Sequence, residues 1–429
     1  MKLYGRLVTN HALLTTEKVI YCGPGITQER SVTTCLQCGS IYRRHIHSYY
    51  SPLLQRDILY CRYCLQLGRM DSLSDVYITQ TYNVATSAEF NIPFKLSPQQ
   101  HYGATALLEA VKSRQDQLLH AVTGAGKTEM MFPALQYARQ QGLNVAVVSP
   151  RTDVVIELTL RLRAAFQQEC IDVLYRGQPQ RFNGHFVIAT VHQLLRFKQH
   201  FQLVIVDEVD AFPLAMDRVL QHSITLASTH DRCHIYMTAT PPKSLLRQFK
   251  ASNIITLPAR FHRQPLPIPQ FQYFKLTPQR PQTNLVRLLC RQQAAGRITL
   301  VFVHSIKLLR QLEHTYQKVL VQSAFVSSDD ALRMTKVQEL RAGKYVSVFT
   351  TTILERGFTL AKLDVVVLNS HTFTQHVLIQ MSGRVGRKTE APTGNVWFYH
   401  QGISTQMLKA KHALKRMNRI AQQRGWIDG

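Results

Sequence analysis

Acidic side chains are scarce in this sequence of 429 residues: 26 Asp and Glu stand against 51 Lys and Arg, which leaves a formal net charge of +25. That excess favours a polyanionic partner, either a nucleic acid or an anionic membrane surface. The hydrophobic content of 45% and the charged content of 18% are those of an ordinary globular protein. A chain of this length is expected to form two or three domains, because one hydrophobic core rarely extends over so many residues.

Long apolar runs are missing as well. No run approaches the ~18 residues of a membrane-spanning helix, and residues 1–10 lack the apolar centre of a secretory signal. We therefore expect a cytoplasmic protein without a transmembrane segment, whose contact with a membrane is at most peripheral. The cysteines agree with a reducing compartment, since two close pairs are accompanied only by scattered ones at Cys22, Cys170, Cys233 and Cys290.

Two C-x₂-C pairs, separated by 22 residues, lie in the polar and aromatic-rich region 1–90: Cys35, Cys38, Cys61 and Cys64. Four thiolates suit the tetrahedral coordination of Zn²⁺, so we predict that they form a closed structural zinc site. The separation slightly exceeds the usual one, which a longer hairpin between the pairs would accommodate. His45 and His47 lie in this stretch and are alternative ligands, but we interpret them as solvated.

The stretch between the cysteine pairs interleaves basic and aromatic side chains: Tyr42, Arg43, Arg44, His45, His47, Tyr49, Tyr50 and Arg56. That mixture suits single-stranded nucleic acid, because cations bind phosphates and rings stack on bases. A basic surface whose rings pack around the metal explains the same residues equally well, and both interpretations stay open. In either case we expect this zinc module to fold separately from the rest of the chain, which has cores of its own.

The sequence Ala121-Val-Thr-Gly-Ala-Gly-Lys-Thr128 follows a short apolar run and precedes a helical pattern over 127–141. A glycine-rich turn between a strand and a helix directs successive backbone N–H groups into one concavity, which binds the phosphates of a nucleotide. We predict that this P-loop binds ATP through its backbone and the Lys127 ammonium, and that the Thr128 hydroxyl ligates Mg²⁺. The backbone contacts are assigned to Thr123, Gly124, Ala125 and Gly126.

A buried strand pattern at 203–206 ends in Asp207-Glu-Val-Asp210. The carboxyl ends of parallel strands are where doubly wound sheets bind ligands. We therefore predict that Asp207 holds Mg²⁺ and that Glu208 orients and deprotonates the attacking water. A further strand pattern at 234–237 leads into Thr238 and Thr240, which without the acidic residues would be only a polar strand end.

Prolines interrupt residues 257–274, and we place the domain boundary there. The predicted domains are 1–90, with the zinc site, 91–257 and 275–429, with a linker at 258–274. Strand and helix patterns alternate in both large domains, as in parallel α/β sheets. In the last domain Arg384 and Arg387 are three positions apart, on one face of a helix, and we predict that they act as arginine fingers on the γ-phosphate. A basic helix is expected over 405–424.

Taken in order, these motifs resemble superfamily 2 helicases from Leu96 to the end of the chain. The resemblance implies an α/β fold of two RecA-like P-loop domains that hydrolyse ATP between them, preceded here by the four-cysteine zinc module. It implies that Thr238, Thr240 and Gln380 couple the nucleotide to the nucleic-acid track. It also implies three further nucleotide contacts: Gln100 on the adenine, with Gln99 as the alternative, and Glu355 and Gly357 near the ribose.

The four-cysteine module and the segment Arg260-Phe-His-Arg-Gln-Pro-Leu-Pro narrow this resemblance, over essentially the whole chain, to the late-competence ComFA family of Gram-positive bacteria. It implies an ATP-driven motor at the inner face of the cell membrane that helps to pull single-stranded DNA through an uptake channel. The implied partners are ComFC and that channel. Two alternatives remain. One is a replication-restart helicase of the PriA type, whose zinc cysteines lie within the second half of the motor, and the other is a nucleotide-gated nucleic-acid clamp.

Overall fold

The computed structural model describes residues 2–29, 32–178, 183–355 and 359–427. They form two compact units. The first contains the N-terminal region to Leu96, His101–His120 and Lys127–Ile255, and the second contains Ser97–Gln100, Ala121–Gly126 and the chain from Thr256 onward. Within the described ranges, no helix is both long enough and apolar enough to cross a membrane.

Short antiparallel strands make up the N-terminal region: β1 (Leu7–Val8), β2 (Val19–Pro24), β3 (Ile26–Glu29), β4 (Val32–Cys35), β5 (Ile46–Ser51), β6 (Arg56–Cys61) and β7 (Asp75–Thr79). One sheet has the order β1-β7-β2, while β3 pairs with β4 and β5 with β6. Strands β4 and β6 end at Cys35 and Cys61, so each cysteine pair follows a strand end. The β5–β6 pair confirms that a hairpin fills the stretch between the cysteine pairs.

The first large sheet has seven strands in the order β10-β11-β9-β12-β13-β8-β14. Its elements along the chain are α1 (Pro98–Lys112), β8 (Gln117–Ala121), α2 (Lys127–Met130), α3 (Phe132–Gln140), β9 (Val145–Ser149), α4 (Thr152–Ala165), β10 (Asp172–Leu174), β11 (Phe186–Thr190), β12 (Phe201–Asp207), α5 (Arg218–Ala227), β13 (Ser228–Thr238), α6 (Lys243–Leu246) and β14 (Ile254–Leu257). The strands from β10 to β8 pair in parallel. Strand β12 is buried at every position, as its apolar sequence predicts for a central parallel strand.

The single helix expected over 127–141 is divided in the structure. Helix α2 ends at Met130 and α3 begins at Phe132, with Pro133 in its first turn. Proline has no backbone N–H and its ring clashes with the preceding turn, so a continuous helix cannot pass through Pro133. Strand β10 was not predicted at all, because three residues carry too little periodicity to be recognised.

The second sheet has six strands, all paired in parallel, in the order β15-β20-β19-β16-β18-β17. Its elements are β15 (Gln270–Tyr273), α7 (Thr283–Ala294), β16 (Ile298–Phe302), α8 (Ile306–Tyr316), β17 (Ser323–Val326), α9 (Arg333–Arg341), β18 (Ser347–Thr350), β19 (Leu363–Val367), α10 (Gln375–Ser382), β20 (Val396–His400) and α11 (Thr405–Gln423). The end of the proline-rich segment, interpreted as a linker, forms β15 at the sheet edge, where neighbouring prolines are tolerated.

The N-terminal region shares its core with the first large sheet. Leu3 and Val8 pack into the same apolar cluster as the strands of that sheet. The four cysteines pack with Leu195 and Val219, which belong to the segments after β11 and at the start of α5. The region before Leu96 and the first sheet form one compact unit, so the structure gives no support to the expectation that the zinc module folds separately, which stays to be tested.

Candidate active site and metal centre

The P-loop is a tight turn between β8 and α2. Gly124 and Gly126 have φ values of 82° and 75°, a left-handed conformation that side chains disfavour. The Ala125 N–H donates to the Val122 carbonyl at 3.1 Å, which closes the turn. The predicted phosphate contacts, Thr123 included, lie in this turn, and glycine-rich turns of this type can bind anions through consecutive N–H groups.

Lys127 and Asp207 form an ion pair at the start of α2 and the end of β12, with 3.0 Å between Nζ and Oδ1. Asp207 Oδ1 also accepts a hydrogen bond of 2.9 Å from the Glu208 N–H. Thr128 is the next residue of α2. A carboxylate and a hydroxyl offer the hard oxygen ligands that Mg²⁺ prefers, so the donor set fits a magnesium–nucleotide complex.

Glu208 has a backbone φ of 54°, a conformation that is uncommon for residues other than glycine. Such conformations persist only where the surrounding structure enforces them, and they cluster at functional sites. The chain thus leaves β12 through a constrained turn that carries the predicted general base.

Asp210 joins this acidic turn to the end of β13, a role that the sequence analysis missed. The Thr238 hydroxyl donates to Asp210 Oδ1 and the Thr240 hydroxyl donates to Oδ2, each at 2.6 Å. The Thr240 N–H in turn donates to Thr238 Oγ1 at 2.9 Å. Both hydroxyls of the predicted coupling segment are therefore tied to the turn that contains Glu208. The sequence signal for this role was Asp210 itself, the second aspartate of the Asp207-Glu-Val-Asp210 motif.

The two candidate adenine contacts have different partners. The Gln99 side-chain amide pairs with the backbone of Ala259, since Nε2 donates to the carbonyl at 2.6 Å and Oε1 accepts from the N–H at 2.7 Å. Gln100 Oε1 accepts from the Ser97 N–H at 3.0 Å, and its Nε2 lies 3.4 Å from the Gly126 carbonyl. Gln100 therefore lies against the P-loop, whereas Gln99 holds the backbone of Ala259.

Arg384 and Arg387 lie in a turn after α10, and the expectation that they share a helix face is wrong. Gly386, with φ of 65°, departs from helical geometry between them. Arg384 is 1% exposed, and Arg387 Nε donates to the Gly383 carbonyl at 2.7 Å. A Cβ on Gly383 would lie 2.1 Å from Thr123 Oγ1, so the turn contacts the P-loop so closely that only glycine fits there.

Two further predicted residues, Gln380 and Glu355, lie on other parts of the second unit. Gln380 is buried within α10. Glu355 is buried and follows the short 3₁₀ helix Thr352–Leu354 after β18. Gly357 lies outside the described residues, and its contact with the nucleotide stays a prediction.

The four cysteines converge in the N-terminal region. Their sulfur atoms all lie within 4.8 Å of one another, with 3.7 Å between Cys35 and Cys64 and 3.8 Å between Cys38 and Cys61. A disulfide requires about 2 Å, whereas four sulfurs at about 2.3 Å from a tetrahedral zinc are about 3.8 Å apart. The cluster is fully buried, and its donors and spacing fit Zn²⁺.

Neither histidine belongs to this cluster. His45 Nδ1 lies 2.8 Å from Ser40 Oγ, and the His45 ring packs against Tyr42 and Tyr63, so it is not simply solvated. His47 Nε2 lies 3.2 Å from the Arg44 carbonyl.

The basic and aromatic stretch contains both packed and exposed rings. Its His45 ring packs against Tyr63 of the second cysteine pair, which itself packs beside the cysteines, and this supports the interpretation of rings around the metal. Tyr49 and Tyr50 are exposed on β5, where single-stranded nucleic acid could stack on them. Both interpretations thus describe part of the surface.

Three family models match consecutive parts of the chain. The family described as "Competence protein ComFA N-terminal domain" matches residues 8–78. "Type III restriction enzyme, res subunit" matches 93–243, and "Helicase conserved C-terminal domain" matches 281–389. The last two are domains of superfamily 2 helicases, which hydrolyse ATP in a nucleic-acid-dependent reaction. They confirm the predicted pair of RecA-like domains and the predicted enzyme class.

Two curated proteins are similar over most of the chain. A protein of Bacillus subtilis named "Competence protein ComFA" is 36% identical over 414 residues, which cover 92% of this chain and 89% of that protein. A protein of the same name from Streptococcus pneumoniae is 34% identical over 430 residues, with coverage of 97% and 98%.

Solved structures show the same fold at low identity. Yeast Dbp5 bound to RNA and ADP BeF3 aligns with a TM-score of 0.53 and 14% identity, and it covers 75% of this chain and 91% of that chain. RecG bound to a three-way DNA junction aligns with a TM-score of 0.54 and 17% identity, over 77% of this chain and 47% of that chain.

Proposed function

Because this chain belongs to the ComFA family of competence proteins, we propose that it is an ATP-dependent motor that moves single-stranded DNA during the uptake of transforming DNA. Its helicase domains supply the ATPase. The observation that carries the proposal is the Lys127–Asp207 ion pair of 3.0 Å, which brings the P-loop cation to the acid at the end of β12. A magnesium–nucleotide site needs that pairing of groups.

Hydrolysis requires that the phosphates are held, the water is activated and the developing charge is neutralised. In this proposal the P-loop N–H groups and Lys127 bind the phosphates, and Glu208 takes the proton of the attacking water. Arg384 and Arg387 stabilise the charge that develops on the transferred phosphoryl group. Thr128 and Asp207 would hold Mg²⁺, which when bound supplies Lewis-acid charge neutralisation.

Other residues recognise the nucleotide and pass its state to DNA. Gln100 contacts the adenine, and Glu355 and Gly357 lie near the ribose. Thr238, Thr240 and Gln380 couple the nucleotide to the DNA track. The hydrogen bonds of both threonines to Asp210 support this role, because Asp210 lies in the same turn as Glu208.

The partner is a polyanion, and the net charge of +25 supports single-stranded DNA held mainly through its phosphates. Affinity for DNA should therefore fall steeply as salt concentration rises. Within the family role, the motor acts in the cytoplasm at the inner face of the membrane, together with ComFC and the DNA-uptake channel. A structural Zn²⁺ held by Cys35, Cys38, Cys61 and Cys64 completes the N-terminal region, and the sulfur spacing supports that metal.

The test compares ATP turnover by the purified protein with single-stranded DNA, duplex DNA and RNA at equal nucleotide concentration. The proposal expects the largest stimulation with single-stranded DNA and displacement of a bound roadblock from it. ATP binding without stimulated turnover would instead indicate a clamp. In a transformable host, Lys127→Ala should abolish transformation and leave growth unchanged, whereas a replication-restart helicase would show a growth defect.

A further inference from the structure

The segment that follows β14 is attached to the P-loop through its backbone. The Val122 N–H donates to the Leu257 carbonyl and the Phe261 N–H donates to the Gly124 carbonyl, both at 3.0 Å. The Gln99 amide holds Ala259 between these two contacts. Residues 257–261 therefore have a fixed position against the phosphate-binding turn.

Arg260 lies between those anchors, and its side chain runs along the P-loop. A Cβ placed on Gly124 would lie 3.5 Å from Arg260 Cγ and 3.7 Å from its Cδ and Nε. The far end reaches the turn of the two predicted arginine fingers, where Nη1 donates to the Gly386 carbonyl at 2.7 Å. Arg260 thus contacts the phosphate-binding turn and the arginine turn at the same time.

The guanidinium of Arg260 is an uncompensated buried cation. The residue is 1% exposed, and within the described ranges Nε and Nη2 have no hydrogen-bond partner and no carboxylate pairs with the group. Burial, and then the positive charge of Arg384, lower the pKa of Arg260 to about 9. A cation buried without a counter-ion is costly to the folded protein, and it is usually retained where a ligand provides the missing charge.

We propose that Arg260 is a third arginine of the nucleotide site, whose Nε and Nη2 bind phosphate oxygens of the nucleotide held by the P-loop. A phosphate held by the P-loop would be anionic and would lie beside Gly124, next to the Arg260 side chain. Its oxygens would accept hydrogen bonds from both unpartnered donors, Nε and Nη2. Because Nη1 holds the Gly386 carbonyl between Arg384 and Arg387, phosphate binding by Arg260 also fixes the turn that carries them. This inference rests on the proposed nucleotide site, but not on DNA as the partner.

The competing explanation is that Arg260 only tethers the Gly386 carbonyl. His262 provides a matched control, because its Nε2 lies 2.8 Å from the same carbonyl oxygen. Loss of a mere tether should have the same effect in either residue. Loss of a phosphate contact should appear only in Arg260 variants.

The experiment measures the affinity for AMP-PNP and ADP, and the thermal midpoint without nucleotide, for the parent protein and for Arg260→Met, Arg260→Lys and His262→Gln. We expect Arg260→Met to bind AMP-PNP about tenfold or more weakly, the effect of losing charge-assisted hydrogen bonds. Its midpoint without nucleotide should not fall, because an apolar residue replaces a buried unpaired charge. Arg260→Lys should be intermediate, and His262→Gln should stay within about threefold of the parent.

Weaker binding of both nucleotides by Arg260→Met would place the contact on the phosphates that they share. Weaker binding of AMP-PNP alone would place the contact on the γ-phosphate. Either result supports the proposal. Equal losses in Arg260→Met and His262→Gln, or affinity within threefold of the parent in Arg260→Met and Arg260→Lys, would overturn it. A parent protein that binds nucleotide but is not stimulated by DNA would refute the motor function and leave this inference intact.

Discussion

The Tyr63 hydroxyl donates a hydrogen bond of 2.7 Å to Asp217 Oδ2, and so links the second cysteine pair to helix α5 of the first large sheet. Asp217 Oδ1 caps that helix by accepting from the N–H groups of Val219 and Leu220. Burial, and then the hydrogen bond to Asp217, raise the pKa of Tyr63, so its hydroxyl stays a donor at neutral pH. One carboxylate thus positions both the metal module and a motor helix.

Tyr63→Phe should weaken the attachment of the N-terminal region without removing a metal ligand. A hydrogen bond to a charged acceptor contributes about 1.5–3 kcal/mol, so the free energy of unfolding of the first unit should fall by about that amount while zinc content is unchanged. Denaturant unfolding and elemental analysis measure the two quantities. Tyr49→Phe is the control, because its hydroxyl bonds to Arg69 in an exposed position and its loss should cost less than about 1 kcal/mol. Equal effects of the two variants would contradict the assigned role of Tyr63.

Cys61→Ser should release zinc and destabilise the first α/β sheet as well as the N-terminal region. One reason is the shared core, in which the cysteines pack with Leu195 and Val219. Another is a partly buried hydrogen bond of 2.6 Å, which Lys198 Nζ donates to the Gln37 carbonyl inside the first cysteine pair. We expect a lower thermal midpoint and reduced basal ATP turnover, measured beside zinc content. Cys22→Ser, at an exposed cysteine outside the cluster, should change none of these three quantities. A Cys61→Ser protein that loses zinc but keeps the parent's midpoint would show that the module is separable after all.

The nucleotide-binding residues could be located from sequence because their chemistry depends on short local patterns. The glycines of the P-loop and the aspartate after an apolar strand each lie within a few residues of the element that positions them. The structure accordingly has Lys127 beside Asp207, although they are 80 positions apart in the sequence. Parallel strands bring such ends to one edge of the sheet whatever the intervening sequence.

Contacts that depend on distant, irregular segments could not be predicted in this way. Gln99 pairs with the backbone of Ala259, 160 residues further along the chain, and no local pattern marks either residue for the other. The proline-rich segment has no hydrophobic periodicity, so the burial of Arg260 could not be predicted from the sequence. The core that the zinc module shares with the first large sheet could not be predicted either. A hydrophobic pattern shows that a face is buried, but it does not show which element covers that face.

Thr238→Val should reduce the stimulation of ATP turnover by DNA. The substitution keeps the volume of the side chain but removes the donor to Asp210 and the acceptor for the Thr240 N–H. Coupling free energies of 1–3 kcal/mol correspond to about 5-fold to 150-fold, so the ratio of turnover with and without single-stranded DNA should fall at least about fivefold. Thr159→Val removes another buried hydroxyl, which bonds within α4, and should leave the ratio unchanged. An unchanged ratio in Thr238→Val would exclude this hydrogen-bond network from coupling.

Glu208→Gln tests the assignment of the general base most directly. Glutamine preserves the shape of the side chain but cannot accept the proton of the attacking water, so turnover should fall by about 10²–10⁴-fold while ATP affinity stays close to that of the parent. The variant should then remain bound to DNA in the ATP state, which is measured by dissociation rates with and without nucleotide. Glu157→Gln, which loses only an exposed ion pair with Arg161, serves as the control and should turn over ATP normally. If Glu208→Gln hydrolyses ATP within a few-fold of the parent, another group must activate the water, and Asp210, the next acid of the same turn, becomes the first candidate.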